Sequence, residues 1–223
     1  MLVQRLGELS GKPSESTLHI HPLLNNSSEF GTNDQEISTI SSKAFKIYDN
    51  VKDRDDRRGG AASWHSDIQF EQYPADYTSL RLTQLPSTGG DTLWASGYEI
   101  YDRYSDAYQQ FFERLTATFS GEGFHKAEAA NPLNRIYEEA RGHPENVGRD
   151  LLAVHPVVRT NPVTGWKSIY AIGNFPQRIN ELSARESKEL LESFYRVIEQ
   201  NHDLQVRFKW KQPNDLGEYL LGE

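Results

Sequence analysis

Apolar and polar residues alternate most cleanly near the end of the chain. Leu204, Val206, Phe208 and Trp210 interleave with Gln205, Arg207 and Lys209, the period-two pattern of a strand with one covered face. Leu80 and Leu82 alternate against Arg81 and Thr83, which predicts a strand over 79–85, broken by Gly89-Gly90. Ile100, Tyr104, Ala107, Phe111 and Leu115 recur at three- and four-residue spacing and predict one helix over 98–115. Two further strands are expected at 151–159 and 167–172, with Asn161-Pro162-Val163-Thr164-Gly165 as the turn between them. Ser183 and Glu186 form a capping-box pattern ahead of a helix that places Leu190, Leu191, Phe194, Val197 and Ile198 on one face. The polar stretch 125–150, holding Pro132, Gly142 and Pro144, reads as an excursion with a short helix and the position of a lid. Residues 25–34 and 52–60 read as loops, the second a charged run placed where a flap over the following motif would lie. Strands that flank helical excursions without βαβ alternation predict a mixed, β-rich fold.

Composition narrows this by exclusion. The 24 Lys and Arg against 32 Asp and Glu give a net charge of −8, which argues against a nucleic-acid or anionic-membrane partner. No apolar run approaches the roughly 20 residues needed to span a bilayer, and residues 1–12 carry no signal-peptide core. With no cysteine, disulfides and thiolate metal sites are excluded. A mean hydropathy of −0.71 is low, but ten Phe, eleven Tyr and four Trp supply a core. The expectation is a soluble, cytoplasmic chain with enough residues for one domain over 1–223, with assembly into a homo-oligomer left open.

The candidate chemistry centres on His65-Ser66-Asp67, inside Trp64-His65-Ser66-Asp67-Ile68-Gln69-Phe70. On an extended strand, residues two apart share a face, so His65 and Asp67 are expected to converge from one strand. One imidazole and one carboxylate are two-thirds of the two-His, one-carboxylate set that holds non-heme Fe(II). The same spacing also suits a surface strand with two polar side chains.

Context decides between these. The motif is followed by Pro86-Ser87-Thr88-Gly89-Gly90-Asp91-Thr92-Leu93-Trp94. It is flanked in order by Leu18-His19-Ile20-His21-Pro22, by His155-Pro156-Val157-Val158-Arg159-Thr160-Asn161-Pro162, and by Val206-Arg207-Phe208-Lys209-Trp210 with Gln212-Pro213-Asn214-Asp215. Together, from about Leu6 to Leu216, these blocks resemble the taurine dioxygenase (TauD/TfdA) family of Fe(II)/2-oxoglutarate-dependent dioxygenases, with the fungal sulfonate dioxygenases as the nearest pattern. The resemblance implies a double-stranded β-helix, or jelly roll, with flanking helices. It also implies Fe(II), 2-oxoglutarate as co-substrate, O2 and a small acidic substrate. By position it makes His65 and Asp67 iron ligands and Thr92 a hydrogen-bond partner of 2-oxoglutarate. His21 becomes a contact of the substrate's acidic group and Phe175 an apolar wall. No catalytic residue beyond the ligands is implied. In the family, decarboxylation of 2-oxoglutarate drives hydroxylation of the substrate, and a hydroxylated sulfonate releases sulfite.

Several positions depart from the family. Taurine-specific members carry polar residues where this chain has Leu24 and Ala61, so a sulfonate without an amine, or a related small acid, is the expected substrate. After Asp215 the family pattern ends, and no histidine follows His202. The second iron histidine, the 2-oxoglutarate arginine and the substrate arginine are therefore not matched, and the fold is expected to be incomplete at this end. His125, His143, His155 and His202 are not expected to replace the missing ligand. His202 reads as a helix cap. Gly217-Glu218-Tyr219 can be encoded by a string containing an intron donor signal, so the final residues are expected to come from an unspliced intron or a gene-model error. Activity is expected to be impaired, and the alternative is a catalytically dead remnant or a small-acid-binding jelly roll.

Overall fold

The structure, a computed structural model, describes residues 2–23, 35–40, 64–131, 134–211 and the backbone of 216–217. Leu24, Ala61, the run 52–60 and residues 212–215 lie outside the described residues.

The chain opens with helix α1 (Leu2–Leu9). Then come β1 (Leu80–Arg81), β2 (Thr92–Ala95), α2 (Gly97–Asp102), α3 (Asp106–Phe112), β3 (Thr116–Ser120) and α4 (Glu122–Ala130). They are followed by β4 (Leu152–Pro156), β5 (Val158–Thr160), β6 (Lys167–Ile169), β7 (Pro176–Ile179), α5 (Ala184–Gln200), β8 (Gln205–Phe208) and β9 (Leu216–Gly217). All pairings are antiparallel: β4-β3-β7 form one sheet, and β2-β8, β5-β6 and β1-β9 form ribbons. The mixed, β-containing class matches expectation.

The main core lies between the three-stranded sheet and α5. Ala117 and Phe119 alternate inward from β3 and Ile179 from β7, in one cluster with Phe194 and Ile198 of α5, and Ala153 and His155 of β4 are buried in register with Phe119 and Ala117. A strand with one covered face shows this period. The capping box predicted at Ser183 is present, with Glu186 Oε2 accepting from Ser183 N at 3.0 Å. Buried Ser187 on α5 accepts from Ile179 N at 2.7 Å, which ties helix to sheet. The predicted turn after β5 also forms: Asn161 Oδ1 accepts from Val163 N and Thr164 N, and its role rests on the short polar side chain.

Three expectations fail for physical reasons. The single helix over 98–115 is broken at Ser105, whose extended backbone starts a new helix. Gln109 Nε2 then reaches back to Tyr101 O at 3.1 Å, and Tyr101 donates to Glu113. The restart rotates the covered face, so Phe112 is fully buried while Phe111 is exposed. The strand expected over 79–85 shrinks to Leu80–Arg81. The face of β8 is covered at its ends by Leu204 and Trp210, but Val206, opposite Trp94, is 58% exposed.

Candidate functional site

His65 and Asp67 converge, but not from a strand. Residues 64–66 have no regular structure and 67–70 form a turn. Ile68 at its centre has φ +49°, a left-handed conformation that costs a β-branched residue about 1–2 kcal/mol. The turn offsets that cost by burial. A strand would bury alternate residues, whereas here Ile68, Gln69 and Phe70 are all buried in succession. The same swing leaves His65 and Asp67 outward, their side chains 43% and 53% exposed, with Nε2 3.2 Å from Oδ1. The His65 hydrogen bond, against an opposing effect of burial, holds the Asp67 carboxyl below the usual range.

Buried contacts hold the turn from beneath. Gln69 Nε2 donates to Tyr170 O at 2.5 Å, while its Oε1 is buried without a hydrogen-bond partner. Gly173, at φ +119°, passes so close that a Cβ there would stand 2.8 Å from His65 Cβ; only glycine fits. Glu71 closes the turn with its N–H on Ile68 O. Its carboxylate, 2% exposed, takes a two-pronged contact from Arg141 (Nε to Oε1 2.5 Å, Nη2 to Oε2 3.0 Å). Arg141 Nη1 donates in addition to Tyr137 O and Gly148 O. His19 Nε2 adds a contact to Glu71 Oε1 at 3.2 Å. Burial alone would raise the Glu71 carboxyl, but the hydrogen bonds from His19 and Arg141 outweigh it and hold it low. His155, on the inner face of β4, sends its Nε2–H to Glu71 O at 2.8 Å. It is a buried structural histidine whose basicity burial lowers.

His21 lies on the same segment as His19, in coil. Its Nδ1 accepts from Leu23 N at 3.1 Å, which leaves the proton of the neutral ring on Nε2. Burial, with the neighbouring His19 second, pushes its pKa down to about 4. The ring meets Phe124 edge-on at 5.1 Å. Phe124 packs on Phe70 at 5.2 Å, and Phe70 on Phe175 at 5.1 Å. His21, Phe175 and the 65–71 turn thus share one aromatic cluster. Thr92 sits elsewhere, on the β2-β8 ribbon opposite Phe208, where its Oγ1 accepts from Trp210 Nε1 at 3.0 Å.

His202 follows the α5 cap residue Asn201 and opens a short 3-10 turn. Among the described residues, no group of three or more His, Asp or Glu could hold a metal ion. No described helix is long and apolar enough to cross a membrane. The 65–67 donors fit part of a hard divalent cation's coordination. They are one nitrogen and one carboxylate, close together and open to solvent.

Sequence reasoning gave no site role to Glu71, Gln69, Gly173, Arg141, Phe124 or Trp210. An acid four residues after Asp67, directly following Phe70, was the available signal for Glu71. Nothing local marks Arg141, whose partner is 70 residues away.

Comparison with known proteins adds an independent line. The family model "Taurine catabolism dioxygenase TauD, TfdA family" matches residues 2–216. The alpha-ketoglutarate-dependent dioxygenase esdpJ of Penicillium shearii is 41% identical over 96% of this chain and 65% of its own length. The alpha-ketoglutarate-dependent sulfonate dioxygenase of Saccharomyces cerevisiae is 34% identical over 68% of this chain and 34% of its own. The crystal structure of a taurine dioxygenase from Burkholderia xenovorans superposes with a TM-score of 0.53 at 25% identity, covering 69% of this chain and 46% of that one. The chain thus spans less than two thirds of each relative's length. With the match running almost from end to end, the chain belongs to the TauD/TfdA family of dioxygenases, of which the Penicillium and Saccharomyces relatives are alpha-ketoglutarate-dependent.

Proposed function

We propose that this chain is a single partial domain of an Fe(II)/2-oxoglutarate-dependent dioxygenase that hydroxylates a small sulfonate or related acid. Its antiparallel sheets would be parts of a double-stranded β-helix. The observation that carries the reading is the approach of His65 Nε2 and Asp67 Oδ1 to 3.2 Å on an exposed turn, with Gly173 and Gln69 packed beneath. His65 and Asp67 would hold the ion, which supplies the oxidising chemistry when bound. The protein's own part is positioning. The Thr92 hydroxyl donates to a carboxylate of 2-oxoglutarate, and His21 donates from Nε2 to the substrate's acid group. Phe175, with Phe70 and Phe124, forms a wall that excludes water.

The sulfonate reading draws on the yeast relative's name. Leu24 and Ala61 favour an acid without an amine, because a pocket stripped of polar partners no longer rewards one. With no group of three donors able to hold a metal ion among the described residues, two protein ligands would hold Fe(II) weakly and turnover by this chain would be impaired. That observation also favours the second reading, a small-acid-binding module without turnover.

The test is to incubate the chain with Fe(II), 2-oxoglutarate and an alkyl sulfonate, and measure succinate and sulfite. Metal content of the chain is measured in parallel with that of His65→Ala and Asp67→Ala. Metal uptake lost in both variants supports the site. Succinate formation separates the enzyme from the binding module. Uptake unchanged in both variants refutes the assignment.

A further inference from the structure

We infer that Trp210 is a positioning residue for Thr92, turning its hydroxyl proton away from the indole and toward the carboxylate of 2-oxoglutarate; this rests on the co-substrate reading above.

The geometry begins with strand register. Thr92 stands opposite Phe208 in the antiparallel β2-β8 ribbon. Trp210, two residues beyond Phe208, is therefore diagonal to Thr92, a distance that an aromatic side chain can bridge. It does so: Trp210 Nε1 lies 3.0 Å from Thr92 Oγ1. The indole is only 6% exposed and is braced edge-on by Phe208, with centroids 4.8 Å apart. On the other face of the ribbon, Arg207 Nε donates to Asp91 Oδ2 at 2.6 Å. Residues 91 and 92 are thus both pinned to β8, just after the Gly89-Gly90 turn.

The direction of the 92–210 bond is unambiguous. An indole N–H donates and never accepts, whereas a threonine hydroxyl offers one proton and two lone pairs. Trp210 therefore occupies a lone pair of Oγ1, and the hydroxyl proton is left to donate. A carboxylate, which only accepts when ionised, is the ligand chemistry this setting selects. A ligand presenting a donor at the same point would find only the second lone pair of Oγ1, and the hydroxyl proton would gain no partner from it. Without the indole, the hydroxyl rotor is no longer biased, and part of its hydrogen bond to a carboxylate is lost to the cost of orienting it.

The experiment uses the full chain loaded with Mn(II), titrated calorimetrically with 2-oxoglutarate. The parent is compared with Trp210→Phe, Thr92→Val and the double variant. Phenylalanine keeps the ring against Phe208 and removes the N–H alone. Expected is a loss of affinity of roughly three- to tenfold for Trp210→Phe and no further loss when that change is added to Thr92→Val. Equal losses in both backgrounds would show that the indole acts without Thr92, and an unchanged affinity would show that it does not act; either overturns the inference while leaving the co-substrate site standing. Absence of 2-oxoglutarate binding in the parent would instead remove the reading on which the inference rests. Should Trp210→Phe melt early, the native indole is kept. Its N–H proton resonance is then followed in Thr92→Val, where it must move, and in Thr92→Ser, where it must return. A resonance that ignores both changes also overturns the inference.

Discussion

Two ion pairs formed from one short turn stand in opposite environments. Glu71 meets Arg141 with both side chains almost wholly buried. Four residues earlier, His65 meets Asp67 with about half of each side chain open to solvent. Burial makes the first pair a structural fixture. Its charges were taken out of water once, on folding, and each of the three guanidinium nitrogens of Arg141 has an acceptor. Exposure leaves the second pair exchangeable, because water or a cation can replace either partner at little cost. A site that must accept a ligand and a scaffold that must not move therefore need the same residue types in different dielectric surroundings. The left-handed Ile68 lies between them in the turn and turns the chain from one environment to the other.

The largest effect expected from breaking this contrast is at Arg141. Arg141→Ala leaves the Glu71 carboxylate buried without its two-pronged partner, and strips Tyr137 O and Gly148 O of a donor. Loss of about 3–5 kcal/mol in urea unfolding is expected, the usual cost of orphaning a buried charge. Arg141→Met combined with Glu71→Gln should recover a large part of that loss, since no charge is then stranded. If Arg141→Ala unfolds within about 1 kcal/mol of the parent, the pair is not the fixture described.

The same pair sets an acid limit. The Glu71 carboxyl is held below its ordinary value of 4.5 in the folded chain. Its stabilisation is therefore complete above the unfolded value and is lost as pH falls through the lower folded one, because the unfolded chain binds the proton first. Stability measured from pH 7 down to pH 3 should fall less steeply below about pH 4.5 in Glu71→Gln than in the parent. Parallel curves would show that Glu71 contributes nothing to acid unfolding.

A smaller effect is expected at Gly173. A Cβ there meets His65 Cβ at 2.8 Å and strains a backbone at φ +119°. Gly173→Ala should cost about 1–3 kcal/mol and weaken metal uptake together with it, because the added methyl displaces His65 itself. A variant that melts early but takes up metal normally would show that Gly173 serves only the chain path.

What could be read in the sequence was short-range. The capping box at Ser183 and Glu186, the 161–165 turn and the two-residue spacing of His65 and Asp67 are each specified by neighbours in sequence. The interruption at Ser105 and the turn at Ile68 were not legible, because each trades local preference for burial against distant residues. A continuous helix would bury Phe111, and a continuous strand would leave one of Gln69 and Phe70 outside. The contacts that support the candidate site are longer-range still: Arg141 reaches Glu71 across 70 residues and Trp210 reaches Thr92 across 118. Periodicity has no access to such pairs.

The smallest effect is expected at the exposed pair itself, and it is the most discriminating. His65→Ala and Asp67→Ala should each change unfolding free energy by less than about 1 kcal/mol, and a double-mutant cycle should give a coupling of about 0–1 kcal/mol, as for other solvent-screened pairs. The low Asp67 carboxyl pKa does not argue for more, since its first cause is a hydrogen bond to a half-exposed histidine, whose worth water largely offsets. Uptake of Mn(II) or Fe(II), by contrast, should be lost in both variants, because each removes half of the local donor set. The two readouts must therefore separate: almost no stability lost, almost all metal lost. A coupling above about 2 kcal/mol would place His65 and Asp67 with Glu71 and Arg141 as scaffold, and the turn at Ile68 would then divide nothing.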